Sequence, residues 1–160
     1  MARRFRGRHA AIGAAVAVLV AGGVLIVRET TSSEPGIQAA PQGDHPRCAR
    51  IAARYPSVLA GQRQEPGKGP GVAVWGDEAV VLRCGLRAPD PTPEPCVNVD
   101  GVDWVVEEAR SQGGKKFVIT YGRHPAVEVA ISDRLTGIDE VLVELSHSVK
   151  PIRQQEECIN

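Results

Sequence analysis

The sequence predicts an α+β domain: an antiparallel β-sheet meander with two helices packed on one face, preceded by one transmembrane helix. Three observations predict it. Residues 10–27 form an uncharged apolar run, short β-branched runs separated by turn residues fill positions 72–132, and an apolar stripe at helical spacing lies on either side of that series. A chain of 160 residues, 42% apolar and 24% charged, suits one folded domain with length left for an anchor. Aromatics make up only 4%, so the core must rest mostly on Val, Leu, Ile and Ala.

The net charge of zero conceals an asymmetry. Arg3, Arg4, Arg6 and Arg8 precede the apolar run, and the first acid is Glu29. From there onward 19 acids face 14 bases, so the remainder is mildly acidic and lacks the basic face of a nucleic-acid binder. As a helix, residues 10–27 would span about 27 Å, close to the roughly 30 Å of a bilayer core. Every backbone polar group would then be paired internally, as lipid requires. Arginines ahead of such a helix stay in the cytoplasm, which places the C-terminal domain outside. A cleaved secretory signal is the competing reading, with cleavage after Ala21 a poor match to the small-residue pattern. Either way the domain is exported. The expected layout is a basic cytoplasmic tail over 1–9, an anchor over 10–27, a flexible linker over 28–46 and an extracytoplasmic domain over 47–160. Such a linker reaches only about 25 Å, tethering the domain near the membrane.

Asp44 reads as an N-cap and Pro46 falls in the first turn of a helix bearing Cys48, Ile51, Ala52 and Tyr55 at helical spacing, ended by Pro56. Positions 61–70 read as a loop. Strands are expected over 72–75, 79–84, 97–99, 102–106, 116–121 and 126–132. Asp100-Gly101 is a two-residue hairpin signal. In the last strand Val127, Val129 and Ile131 alternate with Glu128, Ala130 and Ser132. Thr136 offers a cap for a second helix whose stripe is Ile138, Val141, Leu142, Leu145 and Val149, stopped by Pro151.

Cys48, Cys84, Cys96 and Cys158 all follow the apolar run, and an even number in an exported domain implies two disulfides. The proline-rich insert between Cys84 and Cys96 favours a local Cys84–Cys96 bridge, leaving Cys48–Cys158 to join the ends. Zinc would need tight ligand pairs such as C-x-x-C, so no metal and no cofactor is expected. Ser146-His147-Ser148 lies on a helix and lacks the strained turn of a hydrolase nucleophile. His9, His45 and His124 have no partner spacing that announces a site. Acid pairs at Asp77-Glu78, Glu107-Glu108, Asp139-Glu140 and Glu156-Glu157 keep an envelope-polymer hydrolase as the alternative, if two carboxylates face each other across a cleft. Binding candidates are Trp75, Trp104 and Tyr121 as stacking aromatics, against their reading as core anchors, and Arg83 and Arg123 as anion forks, against ion pairs with Asp77 or Asp103. Trp75 and Tyr121 each precede a glycine turn. If both turns share one sheet end, Asp77 and Arg123 form a charge pair beside the rings.

The segments 75–77 (Trp-Gly-Asp), 80–85 (Val-Val-Leu-Arg-Cys-Gly), 102–104 (Val-Asp-Trp) and 120–123 (Thr-Tyr-Gly-Arg) resemble the pattern of an actinobacterial family, domain of unknown function 3515. The resemblance covers roughly 48–158 together with the anchor. It implies a membrane-anchored or exported protein with no assigned activity, cofactor or substrate. Glu78 departs from the pattern, which has a proline in that turn. The expected function is a non-enzymatic envelope module whose partner is a cell-envelope or membrane protein, or a cell-wall component.

Overall fold

The computed structural model describes residues 37–158, within a compact unit spanning Ile37–Asn160. The apolar segment 10–27 lies outside the described residues, among which no helix is long and apolar enough to cross a membrane. The elements run α1 (Pro46–Ala52), β1 (Val58–Leu59), β2 (Gln62–Arg63), β3 (Val72–Trp75), β4 (Val80–Leu86), β5 (Cys96–Val99), β6 (Val102–Val106), β7 (Lys115–Thr120), β8 (Ala126–Ser132) and α2 (Ile138–Val149). The class is α+β with antiparallel pairing, as the alternating runs predict. The folded part starts ten residues before the expected boundary at 47. Ala40 is buried, and Gln42 N–H donates to the Gly85 carbonyl at 3.0 Å.

Six strands form one sheet in the order β3-β4-β8-β7-β6-β5. This corrects the simple meander: β5 to β8 follow one another, but β8 returns to pair with β4, so the chain must cross from the sheet centre to its far edge between β4 and β5. The proline-rich segment 87–95 makes that crossing. The order also overturns the expected cystine pairing. Three strands separate β4 from β5, about 19 Å at the usual strand spacing, whereas a disulfide needs Cα atoms within about 7 Å. The bridges are Cys48–Cys84, with Cα atoms 5.6 Å apart, and Cys96–Cys158, at 6.4 Å. The first fastens α1 to central strand β4. The second fastens the C-terminal segment to edge strand β5.

One sheet face carries Ala73, Trp75, Val80, Leu82, Cys84, Val102, Trp104, Val118, Val127, Val129 and Ile131, which pack with Cys48 and Ile51 of α1 and Val141, Leu142, Leu145 and Val149 of α2. Both helices therefore cover the same face, and burial of their stripes drives the layer packing. Asp100 and Gly101, at φ 49° and 77°, form the expected tight turn between β5 and β6. The caps differ from expectation. α1 is capped by His45, whose Nδ1 accepts the Arg47 N–H at 3.1 Å, and α2 by Gly137 without a side-chain bond. The loop expected over 61–70 contributes β2 to a short hairpin with β1.

Candidate functional site

Antiparallel order decides where the expected binding residues fall. Trp75 ends β3 beside the C-terminal end of β8, since Trp75 pairs with Val80 and Val80 with Ile131. Tyr121 follows the end of β7, beside the start of β8. The two aromatic-glycine turns thus sit at opposite ends of the sheet, and Asp77 and Arg123 cannot form the expected charge pair. Trp75 and Trp104 are fully buried. Trp75 Nε1 donates to the Pro56 carbonyl at 2.9 Å, with the Tyr55 ring edge-on at 5.8 Å; burial raises the Tyr55 phenol pKa. Tyr121 is buried in a second cluster with Val105, Ile119 and Ala126. The aromatics are core anchors and do not assemble into a platform.

At the Trp75 end, Gly76, Asp77 and Glu78 take φ values of 61°, 53° and 62° in succession. Non-glycine residues in this region cost roughly 1–2 kcal/mol each, and a proline could not adopt it at all. The Glu65 carboxylate holds the turn by accepting the Asp77 N–H at 2.6 Å, and Lys68 lies 3.2 Å from its other oxygen. The Lys68 bond and the Asp77 amide lower the Glu65 pKa. A polar cleft of about 750 Å³ opens here, lined by Asp77, Glu78, Lys115, Asp133 and Arg134 among others. Its charges nearly balance, and Lys115 already lies 3.7 Å from Glu78.

At the opposite end Asp103 organises a buried network. Its carboxylate accepts the Asn98 amide at 2.6 Å, the Gln154 amide at 2.8 Å and the Cys158 backbone N–H at 2.9 Å. Burial opposes its charge, but these donors and nearby Arg123 hold its pKa below the ordinary value. Arg123, 3% exposed, donates to the Gln154 side-chain oxygen and the Gly101 carbonyl at 3.0 Å each, and to the Ile152 carbonyl. Its Nε has no partner among the described residues. Burial lowers the guanidinium pKa, and Asp103 partly restores it. The network locks the C-terminal segment onto the sheet. Arg123 and Asp103 are linked through Gln154, which fits the ion-pair expectation only indirectly.

Arg83 pairs with Glu128, which is not among the expected site residues. Glu128, 2% exposed, accepts Arg83 Nη2 at 2.6 Å and Nε at 3.0 Å, and also Arg110 Nη1. The Arg110 guanidinium lies over the Phe117 ring, 4.4 Å from its centre. Burial works against the Glu128 charge, yet the two arginines bring its pKa down. The available signal was Glu128 sharing a strand face with Ala126 and Ala130, an acid on an apolar stripe.

A third feature was missed because its residues are far apart in sequence. Arg47 and Arg50 of α1 converge with Pro151, Arg153 and Gln155 on a cleft of about 490 Å³. The spacing of Arg47 and Arg50 put them on one helix face; Arg153 joins only through the fold.

Of the acid pairs, Glu107 is bonded to Arg110 at 2.7 Å, Asp139-Glu140 lies in the first turn of α2, and Asp77-Glu78 shares the polar cleft with Asp133. Cys96, Asp103 and Cys158 bring three ligand atoms within 4.8 Å, but both sulfurs are consumed in one disulfide and supply no thiolate. His147 Nε2 lies 3.0 Å from Asp100 on the surface. No curated protein and no solved structure matches the chain. A family model described as Protein of unknown function (DUF3515) matches residues 9–158, and the chain belongs to that family.

Proposed function

We propose that the chain is a non-enzymatic, membrane-anchored module of an actinobacterial cell envelope, with its folded domain outside the cytoplasm, where it binds an envelope protein or cell-wall component. The observation that carries this reading is the cystine pattern. All four cysteines are bridged, and the two bridges fasten the first helix and the C-terminal segment to separate strands. Such staples persist in oxidising compartments. The four arginines ahead of the uncharged run 10–27 support the same direction of export. Binding is favoured over catalysis because the buried acids are tied up. Glu128 and Asp103 each hold several donors, and Glu107 holds Arg110.

The test is in two parts on the full chain. A reporter active only outside the cytoplasm, fused after Asn160, should be active, and a cytoplasm-only reporter silent. In-cell crosslinking followed by mass spectrometry should then recover an envelope partner. A working cytoplasmic reporter at that site would refute the reading.

A further inference from the structure

We propose that the cleft between α1 and the segment after α2 is a binding site for a phosphate group, held by Arg47, Arg50 and Arg153. Arg47, Arg50 and Arg153 line one cleft with Gln155 and Pro151, and no acid lines it with them. None of the three has a carboxylate within 4.0 Å among the described residues, whereas Arg83, Arg87 and Arg110 are each paired. Three unpaired like charges around one hollow repel one another, and an anion entering the hollow relieves that repulsion. Guanidinium forks match the oxygens of carboxylate and phosphate alike. A carboxylate brings one charge and two oxygens. A phosphate brings up to two charges and three free oxygens, a better match for three forks.

The supports of the cleft are fixed before any ligand arrives. Cys48, next to Arg47, is bridged to Cys84 of the central strand. The Arg47 guanidinium also donates to the His124 carbonyl. On the other wall, Gln155 N–H donates to the Gly122 carbonyl at 2.7 Å, and Gln154 is tied to Asp103 and Arg123. A rigid backbone removes the loop-ordering cost of binding, leaving only the ordering of the arginine side chains. The phosphate has two sources, a lipid headgroup or a free ion. The site stands apart from the anchored-module reading, since its chemistry is measurable whichever compartment holds the chain.

The test uses the full chain in a neutral detergent, titrated by calorimetry with inorganic phosphate, with dihexanoyl phosphatidic acid, whose headgroup is a phosphomonoester, and with acetate. Phosphate or the lipid should bind, and acetate at least ten-fold more weakly. Arg50→Gln/Arg153→Gln should weaken binding ten-fold or more without moving the ligand-free melting temperature, because both side chains are exposed. Each single substitution should weaken it three-fold or more, so the result does not depend on the double variant folding. Preference for the lipid assigns a headgroup, and preference for the inorganic ion assigns a free phosphate. Acetate equal to phosphate, binding unchanged in the variants, or heat from none of the probes would overturn the proposal.

Discussion

Trp104 Nε1 donates to Ser146 Oγ at 3.0 Å, joining β6 to α2 through the interior of the domain. Both residues are fully buried, and the bond satisfies the one polar atom of the largest side chain on that strand. The serine is therefore part of the core, while its neighbour His147 is exposed.

Ser146→Ala should cost about 1–3 kcal/mol, because the indole N–H is left buried without an acceptor. Trp104→Ala should cost about 3–5 kcal/mol through the cavity it creates. Combined with Trp104→Phe, which has no N–H, the loss from Ser146→Ala should shrink. Urea unfolding of the four proteins measures this, and additive losses would show that the bond contributes nothing.

Glu128 should be the most costly carboxylate to remove. Glu128→Ala breaks a buried pair, at about 3 kcal/mol, the low end of the usual range because Arg83 and Arg110 both reach solvent. The pH dependence follows from the lowered pKa of Glu128 and of Asp103. A carboxylate more acidic in the folded state contributes stability that is present above its unfolded value, 4.5 for a glutamate, and that is lost as pH falls from there through the folded value. Melting temperature should decline on acidification to about pH 3, and Glu128→Gln should flatten the decline. A variant with the same acid limb as the parent would remove Glu128 from the account.

The features legible in the sequence are the local ones. The Asp100-Gly101 turn, the β8 alternation and the α2 stripe each depend on residues a few positions apart, and each occurs where its pattern places it. Strand order is different, because nothing near β4 states that its neighbour is β8 rather than β5. From that one missing relationship came both the wrong cystine pairing and the misplaced Asp77–Arg123 pair. It also concealed Arg83 opposite Glu128, a register partnership across 45 positions. Burial of the aromatics matches the core-anchor reading of the two held open for them; the arginine cleft was not legible, since Arg153 reaches α1 only after the C-terminal segment is locked.

Non-reducing peptide mapping should recover Cys48 linked to Cys84 and Cys96 linked to Cys158. Each closes a loop of several tens of residues, so removing either should cost about 4 kcal/mol in the chain-entropy account. Cys96→Ala/Cys158→Ala should release the C-terminal segment, seen as faster amide exchange at Gln154 and Gln155 while the Cys84 side of the sheet stays protected. Uniform loss of protection would mean that the two staples do not act on separate regions.

Two glycines allow a test of how firmly the C-terminal segment is seated. Gly101 and Gly122 both occupy left-handed backbone, at φ 77° and 62°. A methyl group added at Gly101 would meet nothing within 4 Å, whereas at Gly122 it would lie 2.0 Å from the Glu156 carbonyl oxygen. Both substitutions therefore carry the same conformational strain, of roughly 1–2 kcal/mol, but only one carries a collision with backbone. That backbone cannot retreat freely, because Gln155 N–H bonds the Gly122 carbonyl at 2.7 Å and Cys158 N–H bonds Asp103 at 2.9 Å. Gly101→Ala should lower stability by about the strain alone, and Gly122→Ala by at least about 2 kcal/mol more, as overpacking does in a rigid core. Chemical unfolding of the two variants side by side measures the difference. Equal losses would mean that residues 154–158 yield easily, and the Asp103–Gln154–Arg123 network would then not be what holds them.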